Sequence, residues 1–218
     1  MKKSEEKAIL DSIDMNTFII SDHHWGHDNI VKYEPYRLEM AKKLGFNNVE
    51  KMMISRWNSV VGKNDLILHL GDFCFSYNKK TIDQLNGRKV LILGNHDRPH
   101  QERDKHFEFI LRGLYIEYND YYLKNENDDV RYSGLIKNIC GKEILFSHYP
   151  LLYNCPYDAQ KEHIVNHIKN LSHFYDSFGC DLNIHGHVHS NEKDIPDHIN
   201  VSCEALDFVP KRIYELFE

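Results

Sequence analysis

The five cysteines (Cys74, Cys140, Cys155, Cys180 and Cys203) are odd in number and irregularly spaced, with no Cys-x-x-Cys among them. That excludes a zinc ribbon and argues against a disulfide framework, so a reducing cytoplasm is the expected location. No apolar run approaches the roughly 18 residues that a membrane span needs. The lysines near the N-terminus are followed by Asp11 and Asp14 rather than by an uninterrupted apolar stretch, so neither a membrane partner nor a signal peptide is expected. An excess of basic charge is also missing. The net charge of -6 opposes a broad electrostatic grip on a polyanion, which leaves nucleic acid disfavoured and a small soluble substrate as the default. No internal repeat or low-complexity linker divides the chain, and nothing in it speaks to oligomeric state.

What is present is enough for a core. With 218 residues and 41% hydrophobic content, the chain can bury roughly 70% of its unfolded surface as one domain. That domain is expected over residues 15–218, after a polar, loosely held leader at 1–14 with helical character around Glu5 to Ser12. The stretch Lys89-Val90-Leu91-Ile92-Leu93 reads as a strand buried on both faces, which stops at Gly94 and opens into Asn95-His96-Asp97. Four other strand-like runs end in the same manner. Phe18-Ile19-Ile20-Ser21 leads into Asp22-His23-His24, Leu66-Ile67-Leu68-His69-Leu70 into Gly71-Asp72, Ile144-Leu145-Phe146-Ser147 into His148, and Leu182-Asn183-Ile184 into His185-Gly186-His187-Val188-His189.

Between these runs the periodicity changes. Val49, Met52, Met53, Arg56, Trp57 and Val60 recur at helical spacing, and shorter helices are expected at 81–85 and 102–111. Strand and helix alternate over 17–111, which predicts parallel crossovers in an α/β layer arrangement. The tyrosine-rich run 114–123 and the acidic tip 125–129 before Val130-Arg131-Tyr132 read as a hairpin. A polar insertion at 149–178 carries His163 and His167, four apart on an expected helix. Ile164 stands where a zinc protease would have its glutamate, which weighs against a metal there.

The strand ends carry the chemistry. Asp22 with His24, and His187 with His189, are two apart, a spacing that turns both side chains of an extended segment to one side. Asp72, Asn95 and His148 each arrive alone. Seven candidate ligands suit two ions rather than one, and mixed oxygen and nitrogen donors favour manganese, iron, zinc or nickel over magnesium or calcium. Asp72, the only carboxylate on its loop and preceded by glycine, is the natural bridge. Two ions about 3.5–4 Å apart could hold a hydroxide for in-line attack on phosphorus.

Asp22-x-His24, Gly71-Asp72, Gly94-Asn95-His96-Asp97, His148 and Gly186-His187-x-His189, in this order and with strands before them, resemble the calcineurin-like metallophosphoesterases. The resemblance implies an α/β fold of two mixed β-sheets packed as a sandwich and flanked by helices. It also implies that Asp22, His24 and His189 bind one divalent ion and Asn95, His148 and His187 the other, with Asp72 shared and manganese the first expectation. His96 matches the family's non-ligand histidine that protonates the leaving oxygen or stabilises charge, and Asp97 would orient it.

The Ser/Thr phosphatases of the family carry arginine after the bridging aspartate and glutamate after the Asn-His pair. Here Phe73-Cys74-Phe75-Ser76 and Asp97 stand instead, so the chain looks more like small bacterial and phage metallophosphoesterases. His27, Asn29, Arg37 and Arg98 are candidate substrate contacts. Two divalent ions, two aspartates and a hydroxide leave a charge of about +1, which suits a small phosphodiester better than a dianionic monoester. Alternatives within the family are a monoesterase or a nuclease; the alternative from another class is a protein-binding scaffold, as in one retromer subunit of similar fold.

Overall fold

The computed structural model describes residues 3–98, 100–124, 133–151, 162–191 and 195–217. Strands β1 (Phe18–Ile20), β2 (Leu66–His69), β3 (Arg88–Ile92) and β4 (Phe109–Leu111) lie side by side and parallel. The second sheet is built from β5 (Gly113–Ile116), β6 (Tyr121–Lys124), β7 (Gly134–Ile139), β8 (Lys142–Ser147), β9 (Leu182–His185) and β10 (His198–Asn200), in the order β10-β9-β8-β7-β5-β6. A short strand β11 (Lys211–Arg212) returns to pair antiparallel with β1. Both sheets are therefore mixed, as expected.

Period-two alternation decides which residues meet. Ile19, Leu68, Val90, Ile92 and Leu111 of the first sheet pack between the sheets against Leu135, Ile144, Phe146 and Ile184 of the second. Their neighbours Phe18, Ile20, Ile67 and Leu91 face the other way, against helices. On that side α4 (Val49–Asn58) brings Met52, Met53 and Trp57, and begins where the Asn48 side chain accepts the Lys51 amide at 2.8 Å. On the outer face of the second sheet α7 (Glu162–Ser177) packs Leu171 against Leu114, Ile116, Ile136 and Leu145. The parallel crossovers expected over 17–111 are present.

Several local expectations change. The leader is not loosely held: it is a helix, Lys3–Asp11, whose Leu10 is buried in the core between the sheets together with Ile13 of the turn that follows. Its charged residues outnumber its apolar ones, but Leu10 reaches the core with Ile9 packed against it, and Lys7 Nζ donates to Tyr115 Oη and Asp120 Oδ1 at 3.2 Å each. Only Gln101–Asp104 of the expected helix at 102–111 is helical. Phe109 and Leu111 alternate with Ile110 between two cores, and that two-sided burial makes the segment strand β4. The hairpin turns earlier than expected, through the 3-10 turn Glu117–Asn119 and Asp120 at φ 51°, so that 114–123 is two strands rather than one. The acidic tip at 125–129 and residues 130–132 lie outside the described residues, as does 152–161 of the insertion. His167 sits buried on α7 with its ring 4.8 Å from that of Tyr149, and the side chain of His163 is outside the description.

Arg37, expected at the substrate, is fully buried on the helix Tyr36–Lys43. Its Nε donates to Glu204 Oε1 at 2.6 Å, Nη1 to the His23 carbonyl at 2.8 Å and Nη2 to the Asp22 carbonyl at 2.7 Å. A guanidinium spends its fixed fork of donors here on a carboxylate and two backbone oxygens, so it braces the loop after β1 from behind. Replacing Arg37 with Met should strip buried Glu204 of its guanidinium partner and cost about 3–5 kcal/mol in urea unfolding. A midpoint shift worth less than about 0.5 kcal/mol, the usual result at an exposed contact, would contradict this placement.

Candidate metal centre

The site begins as an extension of strand pairing. Past the ends of β1 and β2 the two loops stay zipped, with Asp22 N donating to Gly71 O, His24 N to Asp72 O and Trp25 N to Phe73 O, each at 3.0 Å. Two glycines bring the next loop in. A side chain at Gly71 would run into the backbone of Gly94 and into His148 Nδ1, and one at Gly94 would run into Asp72. Asp97 stitches the same corner, its Oδ1 accepting from Phe73 N at 3.1 Å and its Oδ2 from Gly94 N at 3.0 Å, with Arg103 Nη1 3.4 Å from Oδ1. Its carboxylate is thus occupied in holding the loops together. The expected role of orienting the His96 ring is corrected to that.

The second sheet meets this corner through Ser21, whose amide donates to Val201 O at 2.9 Å and whose carbonyl accepts from Cys203 N at 3.0 Å. Gly186 lies so close to Ser21 and Asp22 that a methyl group there would collide with both. His187 N then reaches Asp22 Oδ2 at 2.8 Å.

Asp22 and His24, two apart, do converge on one cluster, whereas His187 and His189, also two apart, go to different clusters, and none of the four lies on extended backbone. All four, and Asp72, have positive φ, between 51° and 71°. Left-handed backbone is uncommon for such residues, and an observed cluster of it in one place is a mark of a site that its surroundings hold in shape.

Two clusters result. Asp22, His24 and His189 offer ligand atoms all within 4.8 Å of one another, and so do Asp72, His148 and His187; all six residues are buried. Asn95 joins the second, its Oδ1 2.9 Å from His148 Nε2. This brings together all seven of the candidate ligands. Asp72 lies between the clusters. Its Oδ1 is tied to the His96 amide at 2.8 Å, while Oδ2 stands 3.4 Å from His24 Nε2 and 3.6 Å from His148 Nε2.

The donor atoms fit cations. Asp22 Oδ2 already accepts from Ser21 Oγ at 2.5 Å, His187 N at 2.8 Å and Ser202 Oγ at 3.1 Å, leaving Oδ1 buried with no hydrogen-bond partner among the described residues. Both ring nitrogens of His24 are in the same state. His148 Nδ1 must donate to the Leu70 carbonyl 2.9 Å away, so in the neutral ring Nε2 is a lone pair facing the Asn95 oxygen and His187 Nδ1. Converging lone pairs in a buried pocket repel unless a cation sits among them.

The protonation shifts agree. Burial holds His24 well below its ordinary value, with His189 adding to it, and burial followed by His148 does the same to His187; both are then neutral, as ligation requires. Burial, then the Asp22 and Asp97 carboxylates, push Asp72 well above the usual carboxylate range, the response of a buried acid among like charges. Burial also lowers His189, but Glu204, whose Oε2 is 3.1 Å from its Nδ1, outweighs that and raises it to about 9. A ligated His189 would hold a cation where the second proton sits, and keep its Nδ1–H on Glu204.

Over the clusters opens a cavity of about 230 Å³, lined by His27, Ile30, Tyr33, Glu34 and His96 as well as by the ligand candidates. His96 is exposed there, its ring 5.3 Å from that of His24. Of the expected substrate contacts, His27 alone lines this cavity. Asn29 and Arg98 are exposed outside it, and Arg37 is the buried brace. Sequence reasoning missed Glu204 and Glu34. Glu204 had a weaker signal, since it follows the alternating segment Ile199-Asn200-Val201-Ser202-Cys203, whose apolar residues mark a half-buried strand end.

The model of the calcineurin-like phosphoesterase family matches residues 15–191. The uncharacterized protein MJ1445 of Methanocaldococcus jannaschii is 35% identical over 125 residues, which are 53% of this chain and 61% of that protein. The gene 66 protein of Mycobacterium phage L5 is 36% identical over 98 residues, 42% of this chain and 44% of that protein. This chain thus matches less than two thirds of the length of either curated relative. Among solved structures, the protein of unknown function AQ665 from Aquifex aeolicus is similar with a TM-score of 0.64 and 28% identity, over 89% of this chain and 93% of that one. The match from before β1 to just past His189 takes in every loop that builds the two clusters, and the chain belongs to the calcineurin-like phosphoesterase family.

Proposed function

We propose that this protein is a cytoplasmic, metal-dependent phosphodiesterase acting on a small diester, with two divalent ions, manganese first among them. The observation that carries the metal reading is the pair of buried clusters on either side of Asp72 Oδ2. Asp22, His24 and His189 would hold one ion, and Asn95, His148 and His187 the other, with Asp72 on both. When bound, such ions supply positive charge to the phosphoryl oxygens and lower the pKa of a water to near neutrality.

The protein's own groups do the rest. His96 lines the cavity without belonging to either ligand set and is the group to deliver a proton to the leaving oxygen. Its main-chain amide is pinned to Asp72, so the ring is set relative to the clusters by a bond of 2.8 Å. The diester preference rests on the cavity wall. Among the described residues no lysine or arginine lines it, and the charged side chain they add beyond the ligand candidates is an acid, Glu34. A phosphate with two ionised oxygens would meet no cation there beyond the metals, whereas a diester carries a single charge. Location in the cytoplasm is supported by Cys74, Cys140, Cys180 and Cys203, all free thiols.

Three outcomes are expected. With the manganese-loaded protein, kcat/KM for bis-(4-nitrophenyl) phosphate should exceed that for 4-nitrophenyl phosphate at one pH and metal concentration; a preference for the monoester would overturn the charge argument. Asp72→Asn, nearly isosteric, should keep the fold by circular dichroism yet lose bound metal and most turnover, and wild-type values of both would remove Asp72 from its bridging role. His96→Ala should retain both metals by elemental analysis and lower the rate about 10²–10⁴-fold. That loss should be smaller for a nitrophenyl than for an alkyl leaving group, and equal losses on the two would point to positioning instead of proton transfer.

A further inference from the structure

The wall of the cavity facing His96 is aromatic. Helix α2 (Ile30–Tyr33) and the residue after it present Ile30, Tyr33 and Glu34 to the cavity, the i, i+3 and i+4 positions of one helical face. Just before the helix comes His27, on the same cavity. The imidazole of His27 has two near-parallel ring neighbours. Phe75 is stacked on it with centroids 4.2 Å apart and planes 17° apart, a closed contact. Tyr33 is also near-parallel, at 28°, but its centroid is 6.4 Å away.

That second separation is the informative one. A planar ring between two others stands about 3.5 Å from each, so a filled three-ring stack spans roughly 7 Å. The centroids of His27 and Tyr33, 6.4 Å apart, lie a little under that span, and with their planes inclined at 28° the two rings would align to hold a third between them. Tyr33 is 69% exposed, so its ring can swing outward to accept a third ring without disturbing the core. Phe75, itself 54% exposed, backs His27 and keeps its imidazole from turning. Phe75 is held in turn by the loop zipper, its amide donating to Trp25 O at 2.9 Å. Large exposed aromatic surface beside a buried polar site is where a planar ligand gains most from leaving water.

We propose that His27 and Tyr33 form a stacking clamp for a planar aromatic group, of nucleobase size, carried on one ester arm of the substrate. The proposal rests on the phosphoester reading above, because the clamp opens onto the cavity that holds the two clusters. It makes the preferred substrate a diester with at least one aromatic arm, and it gives specificity to a site whose metal ligands recognise only phosphate. Glu34 lies next to Tyr33 on the same wall, its Oε2 accepting from Ser190 Oγ at 2.6 Å, which fixes the helix end that carries Tyr33.

The test measures binding apart from turnover. Calorimetric titration of the manganese-loaded protein would compare adenosine 5′-monophosphate with ribose 5-phosphate, and phenyl phosphate with ethyl phosphate. The aromatic member of at least one pair should bind about tenfold more tightly, in line with base–aromatic stacking, and which pair shows it separates a nucleobase from a simple aryl arm. Tyr33→Ala should bring the ratio close to one, and Tyr33→Phe should keep it. Equal affinities within both pairs, or a ratio that survives Tyr33→Ala, would overturn the clamp. Hydrolysis of bis-(4-nitrophenyl) phosphate is followed alongside. A ring-dependent affinity without any diester turnover would keep the clamp and remove the catalytic reading, whereas turnover with equal affinities would remove the clamp alone.

Discussion

Asp72 is held by one oxygen and offers the other, and the loops around it are arranged to keep it so. Its Oδ1 is fixed by the His96 amide, and the close approach of Gly71 to Gly94 leaves no room for it to retreat. A carboxylate so placed is costly, because burial and two neighbouring acids all oppose its charge. The cost is tolerable only with positive charge on the open side. Much of the surrounding polar network can be understood as fixing ligand atoms ahead of that charge: Asp97 ties two loops, Glu204 and Leu70 O hold histidine ring nitrogens, and three donors occupy the far oxygen of Asp22. The left-handed backbone at five of the seven candidate ligands belongs to the same account, since strain of this kind persists where neighbouring contacts over-determine the chain.

The burial of Arg37 extends this logic behind the site. From sequence an arginine shortly after a ligand loop reads as a phosphate clamp, and here it takes the carbonyls of that loop and a buried acid instead. The acid then reaches His189. A single chain of contacts runs from the helix Tyr36–Lys43 through Glu204 to a candidate ligand, so the positive charge of Arg37 is spent on rigidity.

What was legible in the sequence was the chemistry at the strand ends. Apolar runs that stop at glycine or at a polar cluster are visible because burial on both faces leaves few polar residues inside them, and each ended where a candidate ligand stands. The two-sheet architecture came from the order of those motifs more than from periodicity. Periodicity failed where long-range packing decides. Phe109–Leu111 is too short to show its alternation, and the leader's few apolar residues find a core that only the folded chain supplies. Glu204 and Arg37 could not be paired from sequence, since 166 positions lie between them and neither sits in a motif. The αL conformations were hidden for a different reason: Asp and His two apart fit an extended segment equally well, and backbone sign leaves no trace in composition.

Each cluster draws on both sheets. Asp22 and His24 come from the first and His189 from the second; Asp72 and Asn95 come from the first and His148 and His187 from the second. An ion in either place would therefore be a rivet through the sandwich, competing directly with any sliding of one sheet across the other. Metal affinity and sheet alignment would then share one equilibrium, in which a cavity opened in the core between Ile92 and Phe146 is felt as a weaker ion, and a bound ion as a stiffer core.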